Sequence, residues 1–375
     1  MKNYSAIILS AGYSSRMGDF KPLMNLNGKT PIERCVSLFQ NCGIKDIIVV
    51  TGHLNDKVEE KLTEDIKVHE KLKNNVRIAK NNRYSEGMFS SIQTGLKVLS
   101  PNTDAFFILP VDIPSVKEST VKKMIERYEK IDDGILFPTF NKETGHPTII
   151  SCSLLEEILS KNPEGGLREI LNGHKDKCHY EELADRGILL DMDTKEDFQV
   201  LYEHIIKEPF PDYEECMEIL RLSNVKQEVI EHMLNVSEFS RKISILLNEK
   251  GYNLNINAVQ SGGLLHDMGK GKKAHAEEGA KIASNYGYDC LSEIISEHME
   301  LKTFNKIGEK EIVYICDKLL MGTELVSLNK RFEQSWSRYE NSPDILENVN
   351  KRYADAVEIK KRIEEILGDS LENLR

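Results

Sequence analysis

Residues 9–21 read Leu9-Ser10-Ala11-Gly12-Tyr13-Ser14-Ser15-Arg16-Met17-Gly18-Asp19-Phe20-Lys21, a concentration of residue types suited to gripping phosphate. A short apolar run, Ala6-Ile7-Ile8-Leu9, leads into Ser10, Ala11 and Gly12, small residues that let the backbone turn sharply and approach a ligand. Gly18 is a second permissive point. Ser14, Ser15 and Arg16 carry donors that suit phosphate oxygens, and Lys21 adds a compact positive charge. Successive backbone N–H groups in such a loop form an anion-binding concavity. The spacing is not that of a Walker A loop, G-x-x-x-x-G-K-S/T, because Asp19 follows Gly18, and the dinucleotide fingerprint G-x-G-x-x-G is absent. The chemistry this loop predicts is the holding of a nucleoside triphosphate.

The second half of the chain carries a different chemistry. His232 shares a face with Val229 and Val236, His298 follows Ile294 and Ile295 by one turn, and Asp317 lies between Val313 and Leu320. A buried carboxylate is costly unless it is paired or metal-bound. Between these positions runs Leu264-Leu265-His266-Asp267-Met268-Gly269-Lys270, an adjacent His-Asp pair closing an apolar stretch. Inward His and Asp on separate helices are how helical bundles build metal sites.

The elements that must position these residues change character near residue 205. Before it, strands are expected over 4–9, 46–50, 76–79, 105–109 and 134–137, with helices over 32–41, 88–99 and 120–129 between them. That alternation predicts an α/β domain, a Rossmann-like and mostly parallel sheet with helices on both faces. Ligand sites in such sheets lie beyond the carboxyl ends of the strands. Asp112 falls there, placed to hold Mg²⁺, with Ser115 expected as the N-cap of the helix over 116–128. After residue 205 strand signals vanish. Helices are expected over 226–249, 258–265, 274–286, 291–299, 309–327 and 344–367. Glu208-Pro209-Phe210-Pro211-Asp212 is a helix-breaking junction between the halves. The organisation expected is 1–205 as the α/β domain, 215–340 as an all-α domain, and 341–375 as an amphipathic C-terminal helix that covers the bundle or pairs with another subunit.

Composition narrows the function classes. Sixty-one acidic residues against 50 basic ones give a formal charge of −11, which argues against non-specific nucleic-acid binding. Seven scattered cysteines, never spaced C-x-x-C, read as reduced thiols of a cytoplasmic protein rather than a disulfide or zinc framework. No apolar run has the length of a membrane span, so no membrane partner is expected.

Together with five segments farther along the chain, the 9–21 segment resembles the signature of the MobA-like nucleotidyltransferases. Asn81-Asn82-Arg83-Tyr84-Ser85-Glu86-Gly87-Met88-Phe89-Ser90-Ser91 is similar to that family's base- and phosphate-contacting segment. Pro110-Val111-Asp112-Ile113-Pro114 resembles its metal-binding aspartate motif, and Asp191-Met192-Asp193-Thr194 the acidic motif that closes the domain. Gly145-His146-Pro147 and Gly165-Gly166-Leu167-Arg168 match a substrate-side segment. The resemblance implies nucleotide contacts at Ser10, Ala11, Gly12, Ser14, Ser15, Gly18, Asn81, Gly87 and Ser91. It implies acceptor contacts at Gly145, His146 and Arg168, and catalysis by Arg16, Lys21 and Asp112, with Mg²⁺ on Asp112 and Asp193. Asp191 and Asp193 serve equally as caps for the helix over 195–204. Ala11, with Gly145-His146-Pro147, implies CTP rather than another NTP, and a molybdopterin-type acceptor. A sugar-phosphate or choline-phosphate acceptor stays open. So does a non-catalytic role as maturation chaperone for a molybdenum hydroxylase, which would then be a partner.

The second half resembles the HD-type metal-dependent phosphohydrolases. By that resemblance His232, His266, Asp267 and Asp317 hold a first metal, and His275 and His298 complete a second. Mixed His/Asp ligands suit Mn²⁺, Fe²⁺, Mg²⁺ or Zn²⁺, and Lys270 is expected to steady a phosphate. Glu297-His298-Met299-Glu300, with no Gly-Tyr-Pro, departs from the cyclic-dinucleotide branch and argues against that substrate.

Overall fold

Runs such as Ala6-Ile7-Ile8-Leu9 and Ala105-Phe106-Phe107-Ile108-Leu109 are apolar on both faces, as parallel strands covered by helices on each side must be. The computed structural model, which describes residues 2–13, 17–68 and 75–374, places them at the centre of an eight-stranded sheet. Its strands are β1 (Tyr4–Ser10), β2 (Asp46–Thr51), β3 (Val76–Lys80), β4 (Ala105–Pro110), β5 (Ile135–Phe140), β6 (Glu143–Thr144), β7 (Thr148–Ser151) and β8 (Cys178–Glu182). The order is β3-β2-β1-β4-β7-β5-β6, with β8 beside β5. β1 to β4 are mutually parallel, and Ile7 of β1 faces Ile48 of β2 and Ile108 of β4.

Alternate side chains feed two cores. Ala6, Ile8, Val49 and Phe107 pack with α1 (Pro31–Asn41), α2 (Asn55–Val68) and α4 (Glu118–Tyr128) through Phe39, Val58 and Met124. Ile7, Val50 and Phe106 meet α3 (Met88–Leu96), α5 (Leu155–Ser160) and α6 (Gly166–Asn172) through Ile92, Ile158 and Leu171. Helix α7 (Lys195–Ile205) closes this unit, which spans Met1–Ile206. All five strands expected from the sequence are present. The sheet is nonetheless mixed, because β7 runs antiparallel between β4 and β5 and β6 antiparallel on β5. These two strands have four and two residues, too short for a period-2 signal.

The second unit, Lys207–Arg375, is helical: α8 (Tyr213–Leu222), α9 (Gln227–Glu249), α10 (Ile256–Leu265), α11 (His275–Asn285), α12 (Ser292–Glu297), α13 (Glu309–Leu319), α14 (Leu328–Tyr339) and α15 (Pro343–Leu367). The expected helix over 309–327 ends at Leu319. The chain then turns through a two-stranded hairpin, β9 (Leu320–Met321) and β10 (Glu324–Leu325), around Gly322 at φ +61°. Strand structure therefore does not vanish after residue 205. Helix α15 covers the bundle through buried Val349, Ala356, Ile359 and Ile363, and the Tyr314 hydroxyl of α13 donates to Arg352 O at 2.8 Å. Among the described residues, no helix is long and apolar enough to cross a membrane.

One buried carboxylate fixes the segment after β4. Asp185 is 2% exposed and accepts from Lys117 N–H (2.9 Å), Lys117 Nζ (3.1 Å), Thr120 Oγ1 (2.6 Å) and Gly187 N–H (3.0 Å). Burial alone would raise its pKa, but Lys117 and Thr120 hold it below the ordinary carboxylate range. A group with a lowered folded pKa contributes stability above its unfolded value and loses it as pH falls through the folded one. Asp185→Ala is expected to lower unfolding free energy by about 3 kcal/mol at neutral pH, because it strands a lysine and two amides. Thermal denaturation measured at neutral and acidic pH checks this, since the penalty must shrink in acid.

Candidate functional site

The carboxyl ends of β1, β2, β3 and β4 lie along one edge of the sheet, and the switch in strand order falls between β1 and β4. The loop leaving β1 begins with buried Ser10 and Ala11. Ser10 Oγ has no hydrogen-bond partner among the described residues, which leaves a donor for a ligand. A Cβ on Gly12 would meet nothing within 4 Å, so the loop opens to solvent here. Gly18 sits at φ +78°, where glycine is required. Ser14, Ser15 and Arg16 lie outside the described residues. Gly52, after β2, is a close approach: a Cβ there would be 2.8 Å from Ala11 Cβ.

Lys21 is 9% exposed, and its Nζ lies 2.6 Å from Asp193 Oδ1 and 3.5 Å from Asp112 Oδ2. Burial raises the Asp112 pKa, the ammonium of Lys21 opposes that rise, and Asp193 adds to it. Two carboxylates at the end of β4 and before α7 thus converge on one cation. That arrangement suits a divalent ion with oxygen ligands. The capping alternatives do not hold. Thr194 is the N-cap of α7, in a capping box with Asp197. Ser115 is not the cap of α4, which begins at Glu118 behind Lys117, while Ser115 Oγ bonds Gly187 O at 3.4 Å.

Asn81 and Ser91 are brought together, chiefly with each other. Asn81 Nδ2 donates to Ser90 Oγ (2.8 Å) and Ser91 Oγ (2.9 Å), and its Oδ1 accepts from Arg83 N–H (2.9 Å). Asn81, 2% exposed, thereby ties the end of β3 to α3. Gly87 caps α3 at φ +98°. On the acceptor side Gly145 packs on Ile188, where a Cβ would lie 2.4 Å from Ile188 O. His146 N–H bonds Ile188 O at 3.0 Å, and burial lowers the pKa of its ring. Exposed Arg168 rides on α6, whose first residue, Gly166, abuts Phe89 of α3. Sequence reasoning missed an aromatic group at this edge. The Tyr13 ring lies 5.1 Å from that of His53 and 5.2 Å from that of Tyr84. Tyr13 and Tyr84 stood inside segments read only for their polar atoms.

In the second unit, five elements converge. His232 comes from α9, His266 and Asp267 from the end of α10, His275 opens α11, His298 caps α12, and Asp317 closes α13. Two triads result, each with its ligand atoms within 4.8 Å: His232, His266 and Asp317, and Asp267, His275 and His298. His232 Nε2 and His266 Nε2 stand 3.0 and 3.5 Å from Asp317 Oδ1. His275 Nε2 and His298 Nε2 stand 3.6 and 3.8 Å from Asp267 Oδ1. Asp267 therefore faces the second triad, although its neighbour His266 faces the first.

Three of the imidazoles are oriented by backbone carbonyls. Nδ1 of His232 bonds Gly322 O (2.9 Å), Nδ1 of His266 bonds Gly263 O (2.8 Å), and Nδ1 of His298 bonds Ile295 O (2.7 Å). A carbonyl only accepts, so each Nδ1 donates to it and each ring is held with Nε2 directed at the cluster. Nε2 of His266 and of His298 is buried without a hydrogen-bond partner among the described residues. Unpaired buried acceptors aimed at carboxylates fit a metal. Burial pushes the His298 pKa down to about 3, so it remains a neutral ligand. Gly269 admits nothing larger: a Cβ there would be 2.1 Å from His275 O. Lys318, next to Asp317 in sequence, is 5% exposed, with Nζ 2.7 Å from Asp317 Oδ2 and 2.9 Å from His298 O. Burial alone would raise the Asp317 pKa, and Lys318 with the two imidazoles holds it well below its usual value. Lys270 Nζ lies 2.5 Å from Asp267 Oδ2.

Residues 6–178 match the MobA-like NTP transferase domain, and residues 229–322 match the HD domain. Over 201 residues the chain is 26% identical to the molybdenum cofactor cytidylyltransferase of Escherichia coli, spanning 53% of this chain and 95% of that protein. It is 30% identical over 156 residues to an uncharacterized protein of Methanocaldococcus jannaschii, 36% of this chain and 90% of that one. Among solved structures, a nucleotidyl transferase from Methanothermobacter thermautotroptrophicus superposes with a TM-score of 0.47 at 22% identity, covering 55% of this chain and 98% of the other.

Protein reconstituted with Mn²⁺ is expected to retain two ions per chain, one for each triad. His298→Ala is expected to retain one. Metal analysis after gel filtration decides it, and equal loading of both proteins would remove the second triad.

Proposed function

We propose that this chain, which belongs to the MobA-like NTP transferases through residues 6–178 and carries an HD domain over residues 229–322, is a two-site enzyme. The first site transfers the cytidylyl group of CTP to the phosphate of a molybdopterin-type acceptor and releases pyrophosphate. The second hydrolyses a phosphate ester or anhydride.

The observation that carries the first assignment is Lys21 held between Asp112 and Asp193 at the junction of β1 and β4. In nucleotidyl transfer an acceptor phosphate oxygen attacks the α-phosphorus and the bond to pyrophosphate breaks. Negative charge then builds on the α-phosphate oxygens and on the leaving group, so catalysis is mostly positioning and electrostatic stabilisation. Lys21 neutralises phosphate oxygens, and the loop N–H groups after Ser10 orient them. Asp112 and Asp193 would hold Mg²⁺, which when bound supplies further charge neutralisation on the triphosphate. The α3 N-terminus behind Gly87 adds oriented N–H groups and a positive dipole end. Ala11 and the Gly145-His146-Pro147 turn support cytidine and a molybdopterin-type acceptor, and the name of the Escherichia coli relative agrees with both.

In the HD domain, the unpaired Nε2 atoms of His266 and His298 are the supporting observation. A divalent ion bound there supplies an acidified water for attack on phosphorus.

Pyrophosphate release is the direct test. With molybdopterin as acceptor, CTP is expected to be used at least about tenfold better than GTP, a difference of about 1.4 kcal/mol in transition-state binding. Indifference to the nucleotide would sink the cytidylyl assignment. Lys21→Ala is expected to cut turnover by about a hundredfold or more, with the fold intact by circular dichroism. For the HD domain, Mn²⁺-dependent cleavage of p-nitrophenyl phosphate should disappear in the His266→Ala/Asp267→Ala double variant. Residual wild-type rates would dismiss the site.

A further inference from the structure

The two triads are built alike in a respect their ligands do not explain. Each carboxylate turns one oxygen to its histidines and has a solvent-reaching cation beside it. Asp267 directs Oδ1 to His275 and His298, while Lys270, its side chain 53% exposed, sits on Oδ2. Asp317 directs Oδ1 to His232 and His266, and that same oxygen lies 3.6 Å from Nη2 of Arg331 on α14, whose side chain is 32% exposed.

Lys318 differs from both. It is buried, bonds the other oxygen of Asp317, and also holds His298 O, so it is the structural counter-ion of the triad. With Oδ2 already neutralised by Lys318, Arg331 is not needed to pair the carboxylate. It approaches beyond hydrogen-bond length, on the oxygen a divalent ion would use. A guanidinium beside a divalent ion is repelled by it. The arrangement becomes favourable when an anion lies between them and accepts from the guanidinium fork, whose planar donors match phosphate oxygens.

A row of rings lies between the two cation-bearing carboxylates. His232, His266, His298 and His275 follow one another at centroid separations of 5.4, 5.0 and 5.3 Å. Arg331 stands at the Asp317 end of the row and Lys270 at the Asp267 end. We propose that Arg331 and Lys270 are the two phosphate clamps of the HD site, and that its substrate class is a phosphoanhydride with one phosphoryl group under each. The proposal rests on the phosphohydrolase reading of this domain.

The test uses the full-length chain reconstituted with Mn²⁺ and titrated calorimetrically with methylenediphosphonate and with orthophosphate. The His266→Ala chain serves as the blank for binding at the first unit. Wild type is expected to bind the diphosphonate more tightly than orthophosphate. Arg331→Gln is expected to weaken the diphosphonate about tenfold or more, as loss of a charged hydrogen bond should. Its bound manganese and its melting temperature should be unchanged, and Arg331→Lys should recover part of the affinity. If wild type binds neither anion above the blank, the phosphohydrolase reading fails and the clamp fails with it. If wild type binds and Arg331→Gln binds equally, only the clamp fails. Loss of manganese or of melting temperature in Arg331→Gln would make Arg331 a structural residue and overturn the proposal. Equal affinity for the two anions in wild type would overturn the phosphoanhydride class.

Discussion

A carboxylate partly withdrawn from water is stabilised by a cation, and in the first unit two half-buried carboxylates share one buried ammonium. Asp112 and Asp193 come from well-separated parts of the α/β unit in sequence, yet both close on Lys21. Holding them there takes the parallel register of β1 with β4, which fixes where the chain leaves the sheet. It also takes the Asp185 anchor on Lys117 and Thr120, and the Thr194 cap that starts α7. A cation held between two carboxylates in this way has donors that can also meet phosphate oxygens.

The HD domain meets the same constraint differently. Asp317 and Asp267 each pair one oxygen with a lysine and turn the other to imidazoles, three of which are pre-set by carbonyls at Gly322, Gly263 and Ile295. That explains the hairpin after α13. A helix continuing through residue 327 would carry the Gly322 carbonyl into its own hydrogen-bond ladder and leave His232 Nδ1 without an orienting acceptor. The short strands β9 and β10 place the carbonyl that orients this imidazole.

This contrast also accounts for what was legible in the sequence. Parallel strands buried on both faces leave runs such as Asp46-Ile47-Ile48-Val49-Val50, and histidines in apolar helices stand out against Val and Ile, so both could be found. Pairing is another matter. Adjacent in sequence, His266 and Asp267 lie at the end of α10, where the chain turns and sends them to different triads. Strands β6 and β7 carry too few residues for a period, and β8, on the far side of β5, has no fully buried position. Arg331 sits in a polar helix whose surface character hid its contact with Asp317. Residue types survive translation into sequence patterns, whereas partners set by tertiary packing do not.

Both sites work against the charge of the whole molecule. A chain of formal charge −11 repels polyanions at long range. Its functional cations are recessed: Lys21 is 9% exposed, and Lys318 5%. Lys21 lies at the strand ends and Lys318 inside the bundle, so neither forms a basic face along which a nucleic acid backbone could release counterions. A small polyanion can enter such a site and exchange its hydration for fixed donors, while a polymer cannot bring successive phosphates within reach. Recessed charge of this kind suits a small phosphorylated molecule better than a polymer, and what decides it is where the positive charge is buried, more than how much of it there is.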